Sequence, residues 1–492
     1  MGRNTQSYFV AAIASVGGMI FGYDIGIISN ILTLDEFNSF FDNPSARAQG
    51  IITSFLTLGC FIGSFIAGQL CDRISRKRTI ILGSLVFIGG SVCQGAAPNR
   101  VALIAGRFIN GLAVGFLSQA VPTYQSELAA PEIRGRLISL QQWSINWGVF
   151  AAFWICIGTS GIKSNLSWRI PLYVQVIPAA ILMIAMPMMP YSPRWLLGKG
   201  RDEEALKSLA RLRSGGDTTD PTVIEEYNII KEAIRLEKES SLNSYSELFK
   251  YPIRRRLVLG ITTQVLQQFT GINVIMYYAP SIFKQAGVGG ENGPRLAQGV
   301  NGGVLVLSTI PAILFVDRWG RRFTLMMGAV GCGLSYLVLF LCIAINADIV
   351  KTAKETTVTI RNKSVSRLAI VMVYTFVAFF GVSWGPVGWV YPTEIFPMAM
   401  RSKGTSFTTA ANWGFNFIVG LVSPMLIKSI TWGLYLIFFI CMIIAFFIVY
   451  LFYPETKGRT LEEMEIVFSG SIWAIKDKSR VKSELENAKR IE

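Results

Sequence analysis

Histidine is absent from all 492 residues. That removes the commonest general base near neutral pH and the commonest metal ligand. Charge is scarce too, at 16% against about 25% in an ordinary soluble domain. No Cys-x-x-Cys pair, phosphate-binding glycine loop or nucleophile elbow occurs, so no enzyme, catalytic residue, metal site or cofactor is expected. The seven cysteines (Cys60, Cys71, Cys93, Cys156, Cys332, Cys342 and Cys441) all fall within or at the ends of apolar segments. None pairs with another in an external loop, so no disulfide framework is expected. No cleavable leader pattern is present, and the first apolar segment is expected to act as the insertion signal.

What is abundant is apolar surface, with 51% hydrophobic residues. A membrane span needs roughly 20 mainly apolar residues. Twelve segments qualify, near 8–33, 49–70, 79–97, 101–126, 138–160, 169–189, 257–285, 296–316, 323–346, 367–395, 403–428 and 431–453. They predict an all-α membrane protein arranged as 1–189 (six spans), 190–256 (a cytosolic helical linker), 257–453 (six spans) and 454–492 (a cytosolic tail). The net charge of +15 suggests nucleic acid in a soluble protein, but its distribution argues for a lipid bilayer. With both ends in the cytosol, cytosolic segments hold 33 of the 46 Lys and Arg, external segments hold 12, and Arg107 lies within a span. This is the positive-inside bias, so nucleic acid is not expected as a partner.

The two halves repeat. Asp72-Arg73-Ile74-Ser75-Arg76-Lys77-Arg78 follows span two, and Asp317-Arg318-Trp319-Gly320-Arg321-Arg322 follows span eight. Glu127 then Arg134-Gly135-Arg136 follows span four, and Glu394 then Arg401-Ser402-Lys403 follows span ten. Parallel repeats of this kind place a binding site between the halves near mid-membrane.

Two ionisable residues sit deep in spans, Asp24 and Arg107. They lie about nine and six residues from the outer ends of spans one and four, within about a turn of each other in depth. An unpaired charge there costs about 2.5–3.5 kcal/mol or more, so they are expected to pair. The pair reads either as a fixed packing bridge or as a proton switch in which Asp24 takes a proton and releases Arg107.

Span seven carries Gln264, Gln267 and Gln268 on one helical face, then Gly271, Asn273, Tyr277 and Tyr278. On a straight helix Asn273 lies about 240° from Gln267 and about 140° from Gln268. A bend at Gly271 is needed to bring it round. Further polar groups are Gln141 and Gln142 in span five, Asn301 in span eight, and Asn412 and Asn416 in span eleven; Trp389 and Trp413 offer flat apolar faces. Amides donate and accept, which suits an uncharged polyhydroxylated ligand whose C–H face stacks on an indole. Gly385-Pro386 and Gly388 mark a hinge or kink in span ten. Asn362-Lys363-Ser364 and Asn165-Leu166-Ser167 are candidate external glycosylation sequons.

These residues resemble a known family over nearly the whole chain, the sugar porter branch of the major facilitator superfamily, and most of all its fungal monosaccharide transporters. The resemblance is carried by Gly22-Tyr23-Asp24, Gly106-Arg107-Phe108, Pro122-x-Tyr124-x-Ser126-Glu127, Arg134-Gly135, Pro193-Arg194-Trp195-Leu196, Gln267-Gln268-x-x-Gly271-x-Asn273, Asp317-Arg318-x-Gly320-Arg321-Arg322, Trp384-Gly385-Pro386-Val387-Gly388-Trp389-Val390-Tyr391-Pro392 and Pro454-Glu455-Thr456-Lys457-Gly458. It implies the major facilitator fold, two six-helix bundles of transmembrane helices, and alternating-access transport of a monosaccharide, a hexose with glucose foremost. It implies sugar contacts at Gln142, Gln267, Gln268, Asn273, Asn301, Trp389 and Asn412, with Tyr277 and Tyr278 gating from outside. It also implies proton coupling through Asp24 and Arg107, and a plasma-membrane location. The implied cytosolic latch comprises Asp72, Arg73, Glu127, Arg134, Arg194, Asp317, Arg318, Glu394, Arg401 and Glu455.

The alternatives are a passive uniporter and a non-transporting sugar sensor, the second disfavoured by the short tail. Three departures are notable. Tyr191 replaces the acid usual before Ser192-Pro193-Arg194. Ser75 replaces a loop glycine. Gly381 stands where some passive relatives carry an acid, which leans toward coupling.

Overall fold

The computed structural model describes residues 5–239, 244–276, 283, 293–351, 356–360, 362–430, 432–459 and 463–474. Among these, helices fall where the sequence places all twelve spans. Span one is Thr5–Ile31, two Ala46–Ile74, three Arg76–Gly95, four Arg100–Leu128 and five Arg134–Thr159. Span six is a broken pair, Leu166–Val174 and Val176–Ala185. Span seven is Ile253–Phe269 with a further helical turn at 272–276. Eight is Gly293–Trp319 and nine Arg321–Asn346; ten is the pair Lys363–Val382 and Trp384–Glu394; eleven is Met398–Ile430 and twelve Gly433–Phe452. Nine helices among the described residues are long and apolar enough to cross a membrane. Spans five, seven and eleven are outside that set, and all three bring amides to the chamber described below.

The sequence reading foresaw no strands, yet Ala347–Lys351 pairs antiparallel with Thr356–Ile360 between spans nine and ten. The second strand, Thr-Thr-Val-Thr-Ile, is a β-branched run that fits a pleated edge better than a helix.

Within the first half, span one packs along span five and span two along span four. Lipid offers no hydrophobic drive for helix association, so close van der Waals contact has to supply it. A Cβ at Gly22 would overlap the Ile145 carbonyl, and one at Gly148 the Met19 carbonyl. The halves meet along two seams, span two against eleven and span five against eight.

One face of the bundle gathers the chain ends and the linker; it is called the terminal face below. The Ser7 hydroxyl donates to the Leu212 carbonyl (3.4 Å), and Arg213 donates to Ser7 Oγ (3.2 Å) and to the Leu128 carbonyl (3.0 Å). Arg255 donates to the carbonyls of Phe468 and Gly470, and Arg256 to that of Met464. Three linker helices lie here, Pro193–Gly198, Asp202–Arg213 and Pro221–Glu239. The second opens on Asp202, Glu203 and Glu204 and closes on Arg211 and Arg213, an order that complements the helix dipole.

The two loop repeats superimpose in conformation. Gly320 has φ 90°, ψ 156°, and Ser75 has φ 100°, ψ 157°. Ser75 thus keeps the glycine-type turn, with its hydroxyl accepting from the Arg78 N–H (3.2 Å). That backbone region costs a side chain about 1–3 kcal/mol, while Ser-to-Gly at an N-cap loses only a few tenths of a kcal/mol. Ser75→Gly is therefore expected to stabilise the protein by about 1 kcal/mol. A raised unfolding midpoint of the purified protein, with transport unchanged, is the readout.

Candidate functional site

A chamber of about 70 Å³ lies between the halves. Its wall takes Phe21, Gln142 and Asn146 from the first half, and Gln267, Gln268, Asn273, Phe380, Trp389, Asn412 and Asn416 from the second. Ile25, Ile145, Val149, Ile272, Met276 and Leu305 fill the remainder. Among the described residues, no charged side chain belongs to the wall.

The first helix of span seven ends at Phe269; Thr270 still has helical angles (φ −63°, ψ −20°), and the break comes at Gly271, with φ 81°. The break turns Asn273 onto the wall, where its amide donates to Gln268 Oε1. Gln267 donates to the carbonyls of Trp384 (2.8 Å) and Gly385 (3.2 Å). The Asn412 amide donates to Gln264 Oε1 and Gln267 Oε1 (both 2.6 Å), and Gln264 donates to the Gly388 carbonyl (2.8 Å).

Span ten breaks at Ser383, φ −125° and ψ −87°. That lies N-terminal to the expected Gly385-Pro386 position, because a proline ring excludes the carbonyl four residues earlier, here that of Val382. Gly388 is fixed by close approach, since a Cβ would overlap the Gln267 amide. At Gly271 a Cβ would sit 2.5 Å from the Tyr336 hydroxyl and 2.9 Å from the Phe438 ring, on a backbone that already disfavours it. Gly271→Ala is expected to cut the transport rate roughly tenfold or more, from about 1–3 kcal/mol of strain. Uptake kinetics normalised to surface protein check this.

A hydrogen-bonded chain crosses the seam twice. Trp389 Nε1 donates to Gln142 Oε1 (3.1 Å), and Gln142 Nε2 donates to Asn146 Oδ1 (3.0 Å). Asn146 then donates to Thr309 Oγ1 (2.6 Å) and to the Leu305 carbonyl (3.2 Å). Asn146 was not singled out from sequence, although it stands one turn beyond Gln142 on the same helical face. The wall does not include Asn301, which is wholly buried beside Met276, its amide 3.9 Å from the Met276 sulfur. Tyr277 and Tyr278 lie outside the described residues.

Asp24 and Arg107 meet at 2.8 Å (Oδ1 to Nη1), both fully buried. Arg107 also donates to the Ile52 carbonyl (3.3 Å). Among the described residues, Asp24 Oδ2 and Arg107 Nη2 have no partner, so the pair is tight but incompletely satisfied there.

On the terminal face the repeats build matching clusters. Arg76 reaches Asp72 (3.4 Å) and Glu127 (3.0 Å); Arg321 reaches Asp317 (2.9 Å) and Glu394 (2.6 Å). Arg73 and Arg318 are exposed; Arg76 and Arg321, the first residues of the next helices beyond the turns at Ser75 and Gly320, take the carboxylates. Contacts also cross between the halves. Arg401 lies 4.0 Å from Glu127, Arg76 donates to Ser402 Oγ (2.8 Å), and Asp317 accepts the backbone N–H groups of Gly135 (3.1 Å) and Arg136 (2.9 Å). Gln119 donates to the Ser402 carbonyl (3.2 Å) and to Thr405 Oγ1 (3.1 Å).

Arg194 donates to the Glu127 carbonyl (2.8 Å) and Arg134 to that of Arg459 (3.1 Å). Glu455 accepts the N–H groups of Arg321 (2.8 Å) and Arg322 (3.1 Å), where span nine begins. Where an acid is usual, the Tyr191 ring stacks on Trp195 and receives Lys77 Nζ 4.6 Å from its centroid, a cation–π contact in place of an ion pair.

The profile of the sugar (and other) transporter family matches residues 10–468. An MFS glucose transporter of Aspergillus flavus is 37% identical, over 98% of this chain and 93% of its own. Among solved structures, the proton:xylose symporter XylE bound to 6-bromo-6-deoxy-D-glucose matches with TM-score 0.83 at 27% identity, covering 94% of this chain and all of that one. The inward-open conformation of XylE from E. coli matches less closely, with TM-score 0.67 at 26% identity, over 94% of this chain and all of that one. The matched proteins are transporters, not enzymes. The chain is a multi-pass membrane protein that belongs to the sugar transporter family of the major facilitator superfamily.

Proposed function

We propose that this protein carries a hexose, glucose foremost, into the cell together with a proton, by alternating access across the plasma membrane with the terminal face in the cytosol. The observation that carries the sugar reading is the uncharged, amide-lined chamber shared by both halves. Its amides are satisfied by one another, and each such bond is one a sugar hydroxyl can replace. Asn412 with Gln264 and Gln267, Gln268 with Asn273, and Gln142 with Asn146 exchange partners when sugar enters. The Trp389 indole covers the C–H face. A glucose transporter among the relatives supports the substrate, and the excess of Lys and Arg on the terminal face supports the orientation.

Sugar bridging Gln142 and Gln267 draws the halves together on the outer side of the chamber. Opening inward then requires the contacts across the terminal face to part, including Arg401 with Glu127, Asp317 with Gly135 and Arg136, and Gln119 with Ser402. A proton on Asp24 removes the charge that holds Arg107 and frees spans one and four to shift. A proton moving down 100 mV gains about 2.3 kcal/mol, which sustains a sugar gradient of roughly fifty-fold at about 1.4 kcal/mol per tenfold. The buried, incompletely satisfied Asp24–Arg107 pair and the proton:xylose symporter neighbour support coupling.

The test is glucose uptake by vesicles containing the purified protein under an imposed proton gradient. Accumulation above equilibrium that a protonophore collapses is expected. Equilibration without accumulation identifies a uniporter, and absence of sugar flux identifies a sensor.

A further inference from the structure

We propose that Asn362 is an N-linked glycosylation site on the outer face, and that Asn165, the other sequon, stays unmodified. The assignment rests on the orientation proposed above.

Both asparagines are exposed, but their surroundings differ. Asn362 precedes a span of 32 residues, Lys363–Glu394, whereas Asn165 precedes one of 23 residues, Leu166–Met188. At 1.5 Å per residue these measure at most about 48 and 35 Å, the breaks at Ser383 and Gln175 shortening each, against a hydrocarbon thickness of about 30 Å. Shared between the two faces, the excess lifts Asn362 by up to roughly 9 Å clear of the hydrocarbon and Asn165 by up to only about 2 Å. Exposed Arg367, just over one turn into span ten, keeps that first turn at headgroup level. Leu166, directly after Asn165, is 53% exposed and belongs in lipid.

The hydroxyl that completes each sequon separates them further. Ser364 is exposed, whereas Ser167 is fully buried at the start of span six. At Asn362 the chemistry also spares the fold. Its Oδ1 caps span ten by accepting the Ser364 N–H (2.8 Å), while Nδ2 has no partner among the described residues. Transfer uses a polyisoprenyl-diphosphate-linked oligosaccharide. Nδ2 forms a bond to the anomeric carbon, the bond from that carbon to the diphosphate oxygen breaks, and the amide proton leaves with the released diphosphate. The cap on Oδ1 survives, so the glycan sits on a helix end it does not disturb.

The experiment expresses the full chain in a eukaryotic cell and compares gel mobility before and after N-glycosidase digestion. The wild-type protein and Asn165→Gln are expected to shift; Asn362→Gln and Ser364→Ala are expected to run as the digested form. Ser364→Ala leaves the Asn362 cap in place, so a folding defect in Asn362→Gln does not obscure the result. Pro44→Ala is the control for orientation, because it converts Asn43-Pro44-Ser45, in which Asn43 and Ser45 are exposed but which its proline bars from modification, into a sequon in the loop between spans one and two. An added glycan there with no shift at Asn362 overturns the site while leaving the orientation intact. No glycan at either position overturns both. A shift that survives in Asn362→Gln and Ser364→Ala overturns the assignment to Asn362.

Discussion

Gln267→Ala is expected to lower glucose uptake at subsaturating sugar by roughly 30–150-fold, a loss of about 2–3 kcal/mol, with the protein still reaching the surface. Gln267 sits where three demands meet. It donates to the Trp384 and Gly385 carbonyls beside the break in span ten and accepts from Asn412. Alanine leaves those carbonyls without their donor, and a buried group deprived of its partner costs about 1–3 kcal/mol. It also takes from the sugar the amide best placed between spans seven, ten and eleven. If the amide binds sugar as proposed, the loss appears mainly as a raised KM. Unchanged kinetics in a protein present at the surface remove Gln267 from the site.

Asp24→Asn is expected to bring the sugar accumulation ratio down to about one, a loss of the full fifty-fold or so that a 100 mV gradient sustains, while sugar exchange between the two sides continues. Asparagine imitates the protonated acid in shape and charge, so the variant stays in the state the proton otherwise selects. Arg107 then keeps its bond to the Ile52 carbonyl but loses its counter-charge. Removing one member of a buried pair typically costs about 3–5 kcal/mol, so reduced stability is part of the same expectation. Sugar-evoked proton influx should vanish with accumulation. Uphill uptake persisting in this variant refutes Asp24 as the coupling group.

Much of the architecture was legible because lipid imposes simple rules. Span positions followed from length and apolarity, and the meeting of Asp24 with Arg107 followed from their depth and opposite sign. The need for a break at Gly271 followed from helix geometry, because Asn273 reaches the face of Gln267 only if the helix departs from 3.6 residues per turn. What was missed depends on rotation and depth that one sequence does not encode. Arg73 and Arg318 directly follow their aspartates, but the turns at Ser75 and Gly320 bring round Arg76 and Arg321, which take the carboxylates. Asn301 has the same chemistry as Asn146, yet Met276 stands beside it while Asn146 reaches the wall and spans the seam. At Tyr191, where the resemblance implies an acid, the ring takes Lys77 Nζ instead, a contact set by packing that residue type alone does not reveal. The strand pair Ala347–Lys351 and Thr356–Ile360 was hidden because a short β-branched run between two long helices carries little pattern of its own.

The most direct test of the shared chamber is a structure determined with glucose bound. Glucose is predicted between the halves, its hydroxyls within hydrogen-bond distance of Gln142, Gln267 and Asn412 and its C–H face against Trp389. Glucose held by one half alone, or bound elsewhere with the chamber empty, contradicts the account.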